Sequence, residues 1–158
     1  MNPYELLQNL KNKNIDISIP IDVKRITKEL DIKIEYVTDF EELRQYYCES
    51  KNNKFVVYLN KYEVNDIKYE NFVLAKCIIK KINYKIKMNE SDIDIMALKL
   101  LTPIDLFFNE INKYKEYYFD KFLEIPSNDL VIKSISEKFL LPEKIIKERI
   151  LFVEKNMF

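Results

Sequence analysis

Lys76-Cys77-Ile78-Ile79-Lys80 is the stretch of this chain whose residue types and spacing point most directly to chemistry. A thiol stands beside two ammonium groups four residues apart, a spacing that puts both cations on one helical face. Neighbouring lysines favour a nucleophilic thiolate. Against this, Cys is among the most buried residue types, so a structural thiol is the simpler reading of Cys77. The two lysines repel, and burial adds a desolvation cost unless an acid lies close. Glu90, Asp92 and Asp94 are the nearest supply. Two outcomes stay open: Asp92 pairs with Lys80 or Lys76, or both long stems carry their charge to solvent.

What surrounds this stretch narrows the chemistry. Among 158 residues there is no His and no Gly. Without Gly there is no glycine-rich phosphate loop, because backbone cannot approach phosphate past a β-carbon there. Without His there is no imidazole base for a nucleophile and no imidazole ligand for zinc or iron. Positive-φ turns then fall to Asn and Asp, with 12–14, 52–53 and 65–66 placed for them. Cys48 and Cys77 lack metal-ligand spacing, which fits a reduced, cytoplasmic protein with no metal and no cofactor. No secretory leader is read at the start, and no apolar run approaches the roughly 20 residues of a membrane span.

Charge is balanced, 26 Lys plus Arg against 26 Asp plus Glu, so bulk electrostatics recruits neither nucleic acid nor an anionic membrane. Locally, residues 68–87 hold six lysines (Lys68, Lys76, Lys80, Lys81, Lys85 and Lys87) against one acid, Glu70. That surplus is either a solvated helix face or an interaction patch for an acidic partner or phosphate backbone.

The elements that must position these residues follow from periodicity. The spacing predicts a helix from Pro3 to about Leu10, a second after Pro20 closed by Asp31, and a strand over 32–36. Residues 40–47 read ambiguously, and 54–59 read as a strand. From there the pattern is helical. Residues 69–82 are apolar on nearly every side, as a central helix is; 92–101 follow, capped by Asn89 or Ser91 and stopped before Pro103. Pro103 opens an aromatic helix (Leu106, Phe107, Ile111, Tyr114, Tyr118, Phe122) expected to face the core, any exposed part being a partner patch. Two short helices over 130–153 have helix-turn-helix-like spacing, with Ile135, Phe139, Leu141, Ile145, Ile146 and Ile150 inward and Lys144, Lys147 and Arg149 outward. The expected fold is α+β, a mostly helical single domain over 1–158 with a small two- to three-stranded sheet.

Three segments in this order resemble the ImmA/IrrE family of zinc metallopeptidases over roughly residues 20–150. They are Pro20-Ile21-Asp22-Val23 through Leu30 into Ile32-Lys33-Ile34-Glu35-Tyr36-Val37; Phe55-Val56-Val57-Tyr58-Leu59-Asn60 followed by Asn71-Phe72-Val73-Leu74-Ala75; and Asp92 to Pro103 with Ala97, Leu100 and Leu101. The resemblance implies a zincin-like architecture and a His-Glu-x-x-His site in which two imidazoles hold zinc and the Glu acts on bound water. Here those five positions read Lys76-Cys77-Ile78-Ile79-Lys80, and the third ligand falls on Asp92. On this reading Lys76, Cys77, Lys80 and Asp92 mark a degenerate metal site, and no catalytic residue or metal is assigned. Active members act on helix-turn-helix repressors of mobile elements or stress operons. The resemblance therefore implies an inactive relative that binds a regulatory protein of that kind. Two other readings remain: a DNA-binding regulator using the C-terminal helices and the lysines, and a cryptic hydrolase using Cys77.

Overall fold

The computed structural model describes residues 1–38, 46–51, 54–64 and 66–156. Among these residues, seven helices and three strands run in the order α1 (Pro3–Asn12), α2 (Val23–Glu29), β1 (Ile32–Val37), β2 (Tyr46–Lys51), β3 (Lys54–Asn60), α3 (Ile67–Ile82), α4 (Glu90–Leu101), α5 (Ile104–Phe122), α6 (Asn128–Phe139) and α7 (Glu143–Asn156). The protein is α+β and mostly helical, as its periodicity predicts. The Asn52–Asn53 turn, Asn65 and most of 40–47 lie outside the described residues.

The sheet has the order β1-β3-β2, with β1 parallel and β2 antiparallel to β3. Period-two alternation sorts the strands' faces. Cys48 lies opposite Val57 and Tyr46 opposite Leu59, so Tyr46, Cys48, Val57 and Leu59 share one face. That face meets α3, whose Val73, Leu74, Ala75, Cys77, Ile78 and Ile79 are all fully buried. α3 is thus the central helix its all-round apolarity predicts. At the margin of the sheet–helix seam, the buried Glu70 carboxylate accepts from Oη of the half-exposed Tyr36 and lies 3.0 Å from Lys24 Nζ, tying α2, β1 and α3 together.

Helix starts follow capping chemistry: Asn2, Asp22, Asp66, Asn89 and Ser127 each accept a backbone N–H from the first turn. Helix ends show what a chain without glycine must do. Asn14 and Asp31 take positive φ, as expected of Asn and Asp, but Asp66 caps α3 in extended conformation instead. Leu123 and Leu140 take the left-handed C-cap positions of α5 and α6, at φ 57° and 50°. Left-handed backbone costs a β-carbon-bearing residue roughly 1–2 kcal/mol. Leu123 is 79% exposed and has little packing to offset that cost. Leu123→Gly is expected to stabilise by about 0.5–1 kcal/mol after the extra freedom of unfolded glycine is charged against it, raising the thermal midpoint by about 2 °C. A lowered midpoint in calorimetry would show that the leucine side chain matters more than its backbone.

Two expectations are corrected here. The aromatic face of α5 reaches the core only in its first half: Phe107 and Ile111 are buried, Tyr114 and Tyr118 are half-buried, and Tyr117, Phe119 and Phe122 are exposed. The reason is length. α5 has 19 residues against 12 in α6, on which it packs, so its second half outruns its support. Arg149 does not point outward with Lys144 and Lys147; it is 3% exposed. It falls on the stripe of Ile146 and Val153, three and four residues away, both buried.

Candidate functional site

The expected site residues Lys76, Cys77 and Lys80 come together where α3 is flanked by α4 and β2. On α4, Glu90 and Asp94 have the same four-residue spacing as Lys76 and Lys80 on α3. Two cations therefore face two carboxylates across one helix pair. Lys76 Nζ lies 2.6 Å from Asp94 Oδ1 and 3.3 Å from Glu90 Oε2, and Lys80 Nζ lies 2.7 Å from Glu90 Oε1. Neither lysine simply carries its charge out to solvent, their side chains being 12% and 28% exposed.

Asp92 is not their partner, contrary to expectation. Two residues along a helix is about 200° of rotation, so Asp92 is out of phase with both Glu90 and Asp94. It is exposed, and its backbone N–H is taken by the Asn89 cap at 2.7 Å.

Tyr46 closes the cluster from the sheet. Its ring lies 4.7 Å from Lys80 Nζ and 5.5 Å from Lys76 Nζ, and its hydroxyl donates to Glu90 Oε2 at 3.3 Å. Both ammonium groups therefore sit between carboxylates and a π face. Burial raises the Tyr46 phenol well above its usual range, and the Glu90 charge adds to this. Burial opposes charge on Lys76, but the ion pair with Asp94, aided by Glu90, outweighs it and raises the pKa. Glu90 is the mirror case: burial works against the carboxylate, and the Lys80 hydrogen bond and charge, joined by Lys76, hold it below the ordinary range. Lys76 and Glu90 therefore both stay charged near neutrality.

Behind the cluster the two free cysteines meet, Cys48 Sγ lying 3.5 Å from Cys77 Sγ. The thiols differ sharply. The hydrogen bond between the two thiols lowers the pKa of Cys48 despite its burial, with Lys80 contributing. Burial drives Cys77 well above its usual value, and neighbouring Cys48 adds to that. Of the two, Cys48 is the thiolate former. Iodoacetamide is expected to alkylate Cys48 first, with Cys77 more than about tenfold slower in the folded protein; peptide mass spectrometry over a time course reads the order, and equal rates would refute this assignment.

The other lysines of the 68–87 segment disperse. Lys68 bonds Ser136 Oγ at 3.2 Å and Glu137 Oε1 at 2.5 Å, pinning α3 to α6. Lys81 lies over the Phe55 ring and Lys85 over Tyr84. Lys87 lines an open hollow of about 400 Å³ with Cys48, Lys80 and Glu90. The sequence surplus is thus partly neutralised by acids from α4 and α6.

This donor set does not fit a zinc ion. The side chains at the two imidazole positions of the resembled family are ammonium groups, with no lone pair to offer, and each already neutralises a carboxylate. Among the described residues no group of three His, Cys, Asp or Glu side chains is placed to hold a metal. Tyr46 was invisible as a site residue in the sequence, since 40–47 read ambiguously, and Cys48 stood out there only for lacking metal-ligand spacing with Cys77. The Glu90/Asp94 spacing, matching that of Lys76/Lys80, was the available signal for the true ion partners. No described helix is long and apolar enough to cross a membrane. Comparison with protein-family models, with curated proteins and with solved structures finds no match.

Proposed function

We propose that this chain is a zincin-like, ImmA/IrrE-type scaffold without peptidase chemistry, which acts by binding a regulatory protein of the helix-turn-helix repressor kind. The observation that carries the binding reading is the unsupported end of α5, where Tyr117, Phe119, Phe122, Leu123 and Ile125 are 50–83% exposed. Five large apolar side chains this exposed along one helix end and its exit are costly unless a partner covers them. The loss of catalysis rests on the cluster: Lys76 and Lys80 neutralise Glu90 and Asp94 where the resembled family would place its metal ligands.

The two halves are tested separately. Elemental analysis of protein grown with zinc is expected to find far less than one zinc per chain, and stoichiometric zinc overturns the pseudopeptidase reading. The purified chain is expected to retain helix-turn-helix repressors from cell extract, and Phe119→Glu with Ile125→Glu to lose them while circular dichroism stays unchanged. Retention that survives both substitutions refutes this surface.

The rivals find less support. Cys77 is fully buried with a raised pKa, the wrong setting for a nucleophile. With Arg149 turned inward, the C-terminal helices keep only Lys144 and Lys147 of the outward set expected to meet DNA.

A further inference from the structure

Arg149 is a charged side chain in a place that its neighbours do not explain. It is 3% exposed, and its one hydrogen bond among the described residues runs from Nη2 to the Thr102 carbonyl at 3.1 Å. Its guanidinium carbon lies 5.9 Å from the centroids of both the Phe107 and Phe152 rings. Nε is buried and has no hydrogen-bond partner, and among the described residues no carboxylate pairs with this cation. Burial accordingly lowers its pKa. A buried guanidinium with an unused donor and no counter-ion is expensive, and such groups normally meet an anion.

Arg149 lines a groove of about 720 Å³ between α1, α4, α5 and α7, walled by Met96, Ile104, Phe152 and other apolar side chains. The volume is in the range of small-molecule sites. Two further features favour a negative charge there. Lys99 lines the groove, its ammonium 5.3 Å from the Phe152 ring. The groove also includes Pro103 and Ile104, where α5 begins without a side-chain cap, so its first N–H groups are not taken up by one. Asp105 opposes them but is exposed, leaving one net positive charge among the lining residues.

We propose that this groove binds a small organic carboxylate with an apolar body, the carboxylate received by Arg149 and the start of α5, the body lying against Met96, Ile104 and Phe152. Guanidinium is the side chain best matched to a carboxylate, and the walls require that the rest of the ligand be apolar. The site lies apart from the Lys76–Glu90 cluster and does not depend on the peptidase-like reading.

Octanoate, 1-octanol and octylammonium, alike in chain length and different in charge, are the probes. Isothermal titration of the full chain is expected to show octanoate saturating one site, 1-octanol binding at least about tenfold more weakly, and octylammonium not binding, as expected for a hydrogen-bonded charge pair. Ile104→Trp, at a position 44% exposed, leaves Arg149 intact, fills the groove and is expected to abolish octanoate binding. Arg149→Met is expected to erase the preference for octanoate over octanol; should that variant fail to fold, the probe series and Ile104→Trp still decide. No octanoate binding at millimolar concentration, equal binding of octanol, or binding unaffected by Ile104→Trp would overturn the proposal.

Discussion

Replacing both carboxylates that face the lysine pair, Glu90→Gln together with Asp94→Asn, is expected to destabilise the fold by about 2 kcal/mol. Breaking a fully buried ion pair by removing one partner costs about 3–5 kcal/mol, because a desolvated charge is left behind. Here the lysine side chains are 12% and 28% exposed but Glu90 and Asp94 are 63% and 47% exposed, so solvent screens part of that penalty. What remains is two ammonium groups, four residues apart on a largely buried helix, with the Tyr46 ring beside them and no carboxylate among the described residues to pair with. Adding Lys76→Met to the double variant removes the more buried cation and is expected to recover most of the loss, as apolar replacements of buried ion pairs do. Urea midpoints of the three proteins read this out. An unchanged midpoint in the double variant would mean that the cluster is held by packing alone.

The same cluster sets a pH dependence. Glu90 has a depressed pKa in the folded state, so its contribution is fully present above the unfolded value, about 4.3, and is lost as pH falls through the lower folded value. Lys76 is the reverse. Its raised pKa gives stability fully present below the unfolded value, about 10.4, and lost as pH rises through the higher folded value. Both contributions are complete at neutral pH, and the double variant should lose the acid-side part.

Oxidation is the second large effect. Treating the folded protein with diamide is expected to join Cys48 and Cys77 in one intramolecular disulfide and stabilise the chain by about 3 kcal/mol. The sulfurs start 3.5 Å apart and a disulfide needs about 2.05 Å, so a small movement of β2 toward α3 suffices. The Cys48 thiolate adds to the azo bond of diamide. Cys77 then attacks the Cys48 sulfur, and the hydrazine leaves with both thiol hydrogens. The bridge closes a loop of 29 residues' separation, for which chain entropy gives roughly 3–4 kcal/mol before strain is subtracted. Thiol titration, a non-reducing mass and the denaturation midpoint check this, with Cys48→Ser as the control. A bridge that forms but lowers the midpoint would show that the seam cannot accommodate the closer approach.

Much of the fold was legible because its signals are local. The all-round apolarity of 69–82 marked α3 as central, the alternation of Ile32, Ile34 and Tyr36 marked β1, and Asn89 or Ser91 marked the start of α4, Asn89 proving to be the cap. The site was half legible. Four-residue spacing placed Lys76 and Lys80 on one face, but choosing their partner required the phase of α4 against α3, which no single helix carries. Asp92 satisfied the resemblance, and Glu90 and Asp94 satisfied the geometry. Arg149 failed for a related reason. A basic residue beside an apolar stripe reads as outward until the packing partner decides which edge of the stripe is inside. The second half of α5 was misread because periodicity reports a face and not the length of helix available to cover it.

The strand order also fixes a sequence of events. β3 is the middle strand, and its antiparallel partner β2 immediately precedes it, so the two can zip locally on the microsecond scale of hairpins. β1 pairs in parallel, Ile32 with Phe55, and must return across the intervening hairpin to find a strand already in place. Pulse-labelled hydrogen exchange during refolding should therefore protect β2–β3 amides before those of β1, with simultaneous protection contradicting that order. In kinetic terms β1, with α2 attached, is the latch of the sheet, and the Tyr36–Glu70–Lys24 contact that fastens it to α3 belongs to the last stage of assembly.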